Sequence, residues 1–285
     1  MNGYTAITPV RDEERFLPGL IESMTAQTIR PRSWIVIDDG STDATGRIIE
    51  QAAAIYDWIV PHHLDSRGAR AAGGESVIMR FLPRSAWRNQ DFIFRVDGDI
   101  SFEPGLMESL MHEFERDKRL GIASATLMEP SNNGWREVPT PSFHTRGATK
   151  LYSAVCFEAI GGLKSGLGWD TIDEAHAMML GFTTRSFAHV RAYHHRPQGG
   201  GVGLLRGRLA TGRSAYQIGY SPMFMMARAA RRSLKEPYVL GSLLLLAGYF
   251  EGYLRRQPRL APPEVVKFVR AQQRRRLMLA KSLWR

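Results

Sequence analysis

Cysteine is nearly absent. Cys156 stands alone in 285 residues, so an internal disulfide framework is excluded and a reducing compartment fits. Long apolar stretches are missing too. The uncharged run 238–250 has 13 residues, short of the roughly 20 a helix needs to cross a bilayer, and reads as a buried or shallow interfacial helix. No basic stretch precedes Tyr4-Thr5-Ala6-Ile7, which reads as no export signal and a cytoplasmic protein. Acidic residues are scarce in one region only. Residues 199–285 carry 17 Lys and Arg against 3 Asp and Glu, whereas residues 1–198 carry 21 basic and 25 acidic ones. The net charge of +10 therefore belongs to the last third, and such asymmetry points to an anionic partner, either membrane or nucleic acid. An apolar fraction of 44% suffices for a real core, in one large domain or a domain with an appendage.

What is present begins with a rhythm. Tyr4-Thr5-Ala6-Ile7-Thr8-Pro9-Val10 reads as a strand, and Leu17, Leu20, Ile21 and Met24 recur at helical spacing. Trp34-Ile35-Val36-Ile37 is a continuous apolar run of the buried-strand kind. It stops at Asp38-Asp39-Gly40-Ser41-Thr42-Asp43, a turn in which Asp43 reads as a helix cap. A weaker strand at 58–61 and the run 92–96 follow. Strand, helix, strand, helix, strand predicts an α/β fold with a parallel sheet flanked by helices. Ligands of such sheets bind beyond the carboxyl ends of the strands, and here those ends carry Asp12, Asp38-Asp39 and Asp97-Gly98-Asp99.

Alternation along an extended chain would set Asp97 and Asp99 on one side, with Gly98 leaving both open to a ligand. Two carboxylates at one point suit Mg²⁺ or Mn²⁺ shared with substrate phosphates. Asp-Gly is also a turn signal.

Thr8-Pro9-Val10-Arg11-Asp12-Glu13-Glu14, then Val36-Ile37-Asp38-Asp39-Gly40-Ser41-Thr42-Asp43, then Asp97-Gly98-Asp99 resembles the family-2 glycosyltransferases of the GT-A fold. The resemblance implies a GT-A domain over residues 1–198 and an inverting, nucleotide-sugar-dependent transfer that uses Mn²⁺ or Mg²⁺. It implies that Pro9, Asp12 and Asp39 line the base and ribose pocket, with Arg67 close to the nucleotide. Asp97, with Gly98 beside it, would lie near the ribose, and Asp99 would hold the metal bridging the diphosphate. Where the family often has Asn-Glu after its first strand, this chain has Arg11-Asp12-Glu13.

Further along, Gly147-Ala148-Thr149-Lys150-Leu151-Tyr152 and Gly161-Gly162-Leu163 resemble the family's segment beneath the acceptor. Gly168-Trp169-Asp170-Thr171-Ile172-Asp173-Glu174 then opens a helix that ends at Gly181. Acids at a helix start suit its positive end. In the family an Asp at this helix start is the catalytic base. Asp170 has the family's spacing to Gly181, and Asp173 competes one turn later on the same face. The chemistry requires both ends: a base to take the acceptor hydroxyl's proton, and a cation to neutralise the leaving diphosphate on the far side of the sugar. After a strand at 183–187 come His194-His195-Arg196. The resemblance makes His194 the metal-contacting histidine ahead of His195, with Arg196 supporting the diphosphate.

From Gly199 the chain is predicted to be a helical basic region, 199–285, whose glycines at 199–203 read as a mobile loop over the donor or a linker. Its last helix sets Val266, Val269, Leu277 and Trp284 against seven Lys and Arg. That pattern suggests attachment to an anionic membrane surface, or equally a charged face packed on its own domain. Nucleic acid is disfavoured, because aromatics do not interleave with the charges. The expected partners are a nucleotide-sugar donor and a glycan or lipid-linked acceptor, at the inner membrane face, as in bacterial surface-polysaccharide synthesis. A nucleotidyltransferase making sugar nucleotides would want a Gly-rich basic loop where Arg11-Asp12-Glu13-Glu14 stands. A non-catalytic adaptor would leave the acidic rim unexplained.

Overall fold

A computed structural model describes residues 3–65, 78–79, 81–82, 89–196, 203–234 and 236–284. Arg67 and the glycines at 199–202 lie outside the described residues. The first strands are β1 (Tyr4–Val10), β2 (Ser33–Asp38), β3 (Ile59–His63) and β4 (Phe92–Val96). They pair in parallel in the order β3-β2-β1-β4. Helices α1 (Leu17–Thr25) and α2 (Thr45–Ile55) make the first two crossovers. These strands are apolar at successive positions because both faces are covered. Tyr4, Ala6, Trp34, Val36, Phe92 and Phe94 enter one core, and Ile7, Ile35, Ile37 and Ile93 the other.

Beyond β4 the sheet is mixed. The remaining elements are β5 (Ile100–Phe102), α3 (Leu106–Arg116), β6 (Leu120–Ser131), β7 (Gly134–Glu137), β8 (Thr149–Ser153), α4 (Ala154–Ala159), α5 (Trp169–Met179) and β9 (Thr183–His194). Strand β8 inserts antiparallel between β4 and β6, β9 runs parallel to β6, and β5 closes antiparallel on β9. Pairing of Ile100 with His194 brings the end of β9 beside the Asp97-Gly98-Asp99 segment.

That segment corrects one expectation. The strand ends at Val96 and the triplet is a turn into β5, so strand alternation does not align the two carboxylates. Gly98 also serves packing rather than access. A Cβ there would lie 2.7 Å from Val10 Cγ1 and 3.3 Å from Glu13 Cγ, so only glycine lets the turn close against the end of β1.

Four helices follow: α6 (Leu204–Ile218), α7 (Pro222–Arg232), α8 (Tyr238–Leu254) and α9 (Pro263–Leu277). The apolar side of α9 faces inward. Val265, Val266 and Val269, with Trp284, share a core with Ile172, Ala175 and Met178 of α5. Covered in this way, that face is not available to lipid, which corrects the reading of the last helix as the membrane-binding one. Exposed apolar side chains lie on α8 instead, at Val239, Leu240, Leu243 and Leu254. Among the described residues no helix is long and apolar enough to cross a membrane.

Candidate active site

The loops after β1 and β2 are stitched together by acids. Asp12, at φ 52°, accepts the Thr42 backbone N–H at 2.8 Å and faces its hydroxyl at 3.2 Å, while its own N–H donates to Ser41 Oγ at 3.0 Å. Asp38 is buried, accepts the Ser41 N–H at 2.8 Å and lies 3.3 Å from His63 Nδ1. Asp43 accepts from the Thr45 and Glu14 backbone N–H groups, one residue ahead of the α2 N-cap, which is Ala44 and not the expected Asp43. Asp39 differs. Its N–H donates to the Val10 carbonyl at 2.9 Å, which aligns it with the end of β1, but its half-exposed carboxylate has no partner among the described residues. Pro9, half-buried one residue before that contact, completes this corner.

Asp99 is buried beside His194 and Arg196. Its Oδ2 lies 3.3 Å from His194 Nε2 and accepts from Arg196 Nε at 2.9 Å. Burial alone would raise this carboxyl, but the His194 and Arg196 interactions outweigh it and hold it below the ordinary range. Burial would likewise lower His194, and Asp99 raises it instead. A further Arg196 nitrogen pairs with Glu13, and the guanidinium sits 5.4 Å from the Phe16 ring centre. His194 Nδ1 is buried with no hydrogen-bond partner. His195 turns away, 2.8 Å from Ser101 Oγ and stacked on Phe16. Among the described residues no three His, Cys, Asp or Glu side chains converge as a complete metal cage. Asp99 with His194 is a two-donor oxygen and imidazole set. Such a set would fit a divalent cation that also takes oxygen ligands from outside the protein.

A chain of contacts runs from this pair to α5. Asp97 takes Arg95 Nη1 at 2.7 Å, and Arg95 lies over the Trp169 ring at 4.9 Å. Trp169 is the residue before Asp170. Below it, Lys150 is fully buried and donates to Asp173 at 2.8 and 3.0 Å and to the Asp170 main-chain carbonyl at 2.6 Å, with Glu174 at 3.4 Å. Tyr152 donates to Asp173 as well. Burial pushes the Asp173 carboxyl up to about 7 against the pull of Lys150. Glu174 accepts from Thr145 and sits 2.9 Å from His144.

Asp173 is therefore sequestered at 4% exposure, while the half-exposed Asp170 carboxylate has no hydrogen-bond partner among the described residues. It faces Gly147, where a Cβ would lie 3.7 Å from that of Asp170. A relay of neighbours, Val10, Gly98, Asp97, Arg95 and Trp169, connects Asp39, Asp99 and Asp170.

The sequence reading assigned no role to Lys150, Arg95 or Glu13. The signal for the first two was available: a charged residue inside an otherwise apolar strand needs a buried counter-ion.

Comparison with known proteins supplies the family. Residues 5–163 match Glycosyl transferase family 2, more than half of the chain, and the protein belongs to that family. The glycosyltransferase GlyA of Streptococcus pneumoniae is 27% identical over 95 residues, 31% of this chain and 14% of GlyA, so the chain spans a small part of that relative's length. Residues 1–349 of S. aureus TarS superpose with a TM-score of 0.55 at 15% identity, covering 90% of this chain and 72% of that piece. The mannosyltransferase PcManGT of Pyrobaculum calidifontis, solved with GDP-Man and Mn²⁺, gives 0.57 at 16% identity, covering 98% and 76%. The same 1–349 piece of TarS with UDP-GlcNAc gives 0.57 at 14% identity, covering 98% of this chain and 92% of the piece. At such identities the shared property is the fold, a mixed α/β GT-A type.

Proposed function

We propose that the protein is a metal-dependent, inverting glycosyltransferase that moves a sugar from a nucleoside-diphosphate donor to a hydroxyl of a glycan or lipid-linked acceptor. The observation that carries this reading is that the carboxylates of Asp39 and Asp170 have no partner among the described residues, at the two ends of a relay that passes Asp99. In this reading Asp39 meets the nucleoside and Asp170 acts as base, while Asp12, Asp97 and Asp99 are engaged with their neighbours. Asp12 holds the nucleoside loop through Thr42, and Asp97 positions Arg95 beneath the sugar.

In the reaction Asp170 takes the acceptor hydroxyl's proton as that oxygen bonds to the anomeric carbon, and the bond from that carbon to the diphosphate breaks on the opposite face. A Mn²⁺ or Mg²⁺ held by Asp99 and His194 would supply neutralisation of the departing charge. Arg196, beside Asp99, adds positive charge at the same end. Asp173 keeps Lys150 charged and α5 in place, and is not the base in this scheme.

Residues 1–198 form the catalytic unit, and 199–285 the part that meets acceptor and membrane. Attachment to an anionic membrane surface at the cytoplasmic face, in surface-polysaccharide synthesis, is assigned to the exposed apolar residues of α8. Binding to anionic but not zwitterionic vesicles, lost in Leu243→Glu, is the expected result.

UDP-GlcNAc and GDP-Man, the ligands of TarS and PcManGT, are the first donors to test. Incubation with Mn²⁺ should release nucleoside diphosphate slowly even to water. No release from any nucleotide sugar, with or without acceptor, would sink the enzyme reading.

A further inference from the structure

A cavity of about 660 Å³ opens beside the first turn of α5, between the α/β domain and helices α7 and α9. Thr171, the residue after Asp170, is part of its wall. Three aromatic rings build one side. Trp284 stacks on Phe143 at 6.2 Å, nearly parallel, and leans on Tyr220 at 5.8 Å. Trp284 itself is buried, so it backs the half-buried Phe143 and Tyr220, the rings that offer the cavity an aromatic surface for the C–H face of a sugar. Opposite stand Arg228, Arg231 and Arg276.

None of the three arginines pairs with a carboxylate among the described residues, and no acidic side chain lines the cavity. Arg228 has only the Tyr220 ring beneath it, at 5.9 Å. A second cavity, of about 600 Å³, shows the contrast. Its Arg213 and Arg255 are both paired with Glu251, at 2.6 and 3.1 Å, and its Arg259 lies over the Tyr216 and Tyr253 rings. Three guanidinium groups without a carboxylate partner among the described residues, Arg228 half-buried and Arg231 and Arg276 exposed, stand beside aromatic rings one residue from the proposed base, and phosphate oxygens match their fork geometry.

We infer that this cavity is the acceptor subsite and that the acceptor is a phosphate-bearing glycan, whose sugar rests on Phe143 and Tyr220 while its phosphate meets Arg228, Arg231 and Arg276. The inference rests on Asp170 being the base of the proposed transfer. It adds that acceptor choice is made by C-terminal helices that take no part in holding the donor.

The test compares a short glycan carrying one phosphate monoester with its dephosphorylated twin, measured by calorimetry on the full chain and on Arg228→Ala/Arg276→Ala. The parent should bind the phosphorylated form about tenfold or more tightly than the neutral one, and the variant should lose that preference. Slow hydrolysis of the donor by water, which needs no acceptor, should be unchanged in the variant, as should its melting temperature. Arg228→Lys/Arg276→Lys should restore part of the preference. Equal binding of the twins, binding of neither, or a preference that survives in the alanine variant overturns the inference. So does arginine-dependent binding to phosphatidylglycerol vesicles without preference for the phosphorylated glycan, which would assign these side chains to a lipid surface. Loss of donor hydrolysis in the parent would instead count against the enzyme reading.

Discussion

Lys150 Nζ donates to the main-chain carbonyl of Asp170 at 2.6 Å. A fully buried cation thereby fixes the first turn of α5 through its backbone and leaves the Asp170 carboxylate outside the ion pair. The charge on Lys150 is answered by Asp173 and Glu174. Burial alone would lower the lysine, and the three nearby carboxylates raise it.

Lys150→Met should cost about 3–5 kcal/mol, because it strands two buried acids without their cation. Urea denaturation of parent and variant measures this directly. A loss below 1 kcal/mol, on the order of an exposed ion pair, would show that the cluster is not structural.

Asp170→Asn and Asp173→Asn should fail in different ways. The first keeps the melting temperature and loses about a hundredfold to ten-thousandfold in transfer rate, the range a positioned base contributes. The second loses stability by unbalancing Lys150. Full transfer by Asp170→Asn would place the base elsewhere.

Asp99→Ala should uncouple metal from donor. In the parent, a matched nucleotide sugar at about 100 times its Kd should stabilise the fold by about 2.7 kcal/mol when Mn²⁺ is present, and chelation should abolish most of that gain. The variant should melt at one temperature with or without Mn²⁺. A metal-dependent shift that persists in the variant contradicts the assignment.

Glu13 gives a pH signature. Burial pushes its carboxyl up to about 7, against the pull of Arg196, from an ordinary 4.5. Through that window the folded chain binds more protons than the unfolded one, so this group makes stability fall as pH rises. Glu13→Gln should flatten the fall over the same window in urea midpoints. Identical slopes in parent and variant would remove Glu13 as the source.

The repeating strand and helix pattern made the first half of the sheet legible, since strands buried on both faces must be apolar at successive positions. The rim at the strand ends was legible for the same reason. Which acid of each group stays free was not. Asp38 and Asp39 differ by one residue, and the turn after β2 buries the first and presents the second. Asp170 and Asp173 share a helix face, yet Lys150 arrives from β8 at the depth of the second. That arrival depends on β8 pairing antiparallel with β4, a long-range choice that no local pattern encodes. The apolar stripe of α9 was visible, but whether it met lipid or α5 depended on Ile172, Ala175 and Met178 waiting to receive it.

Helices α6 and α8 touch at glycines. A methyl group on Gly212 would run into the carbonyl of Leu245, and one on Gly248 into the carbonyl of Leu209. Backbone lies directly on backbone there, which sets the rotational phase of α8 about its own axis. Leu240, Leu243 and Leu254 point outward because two hydrogen atoms dictate the opposite side, so the orientation of that greasy surface is as rigid as the crossing itself.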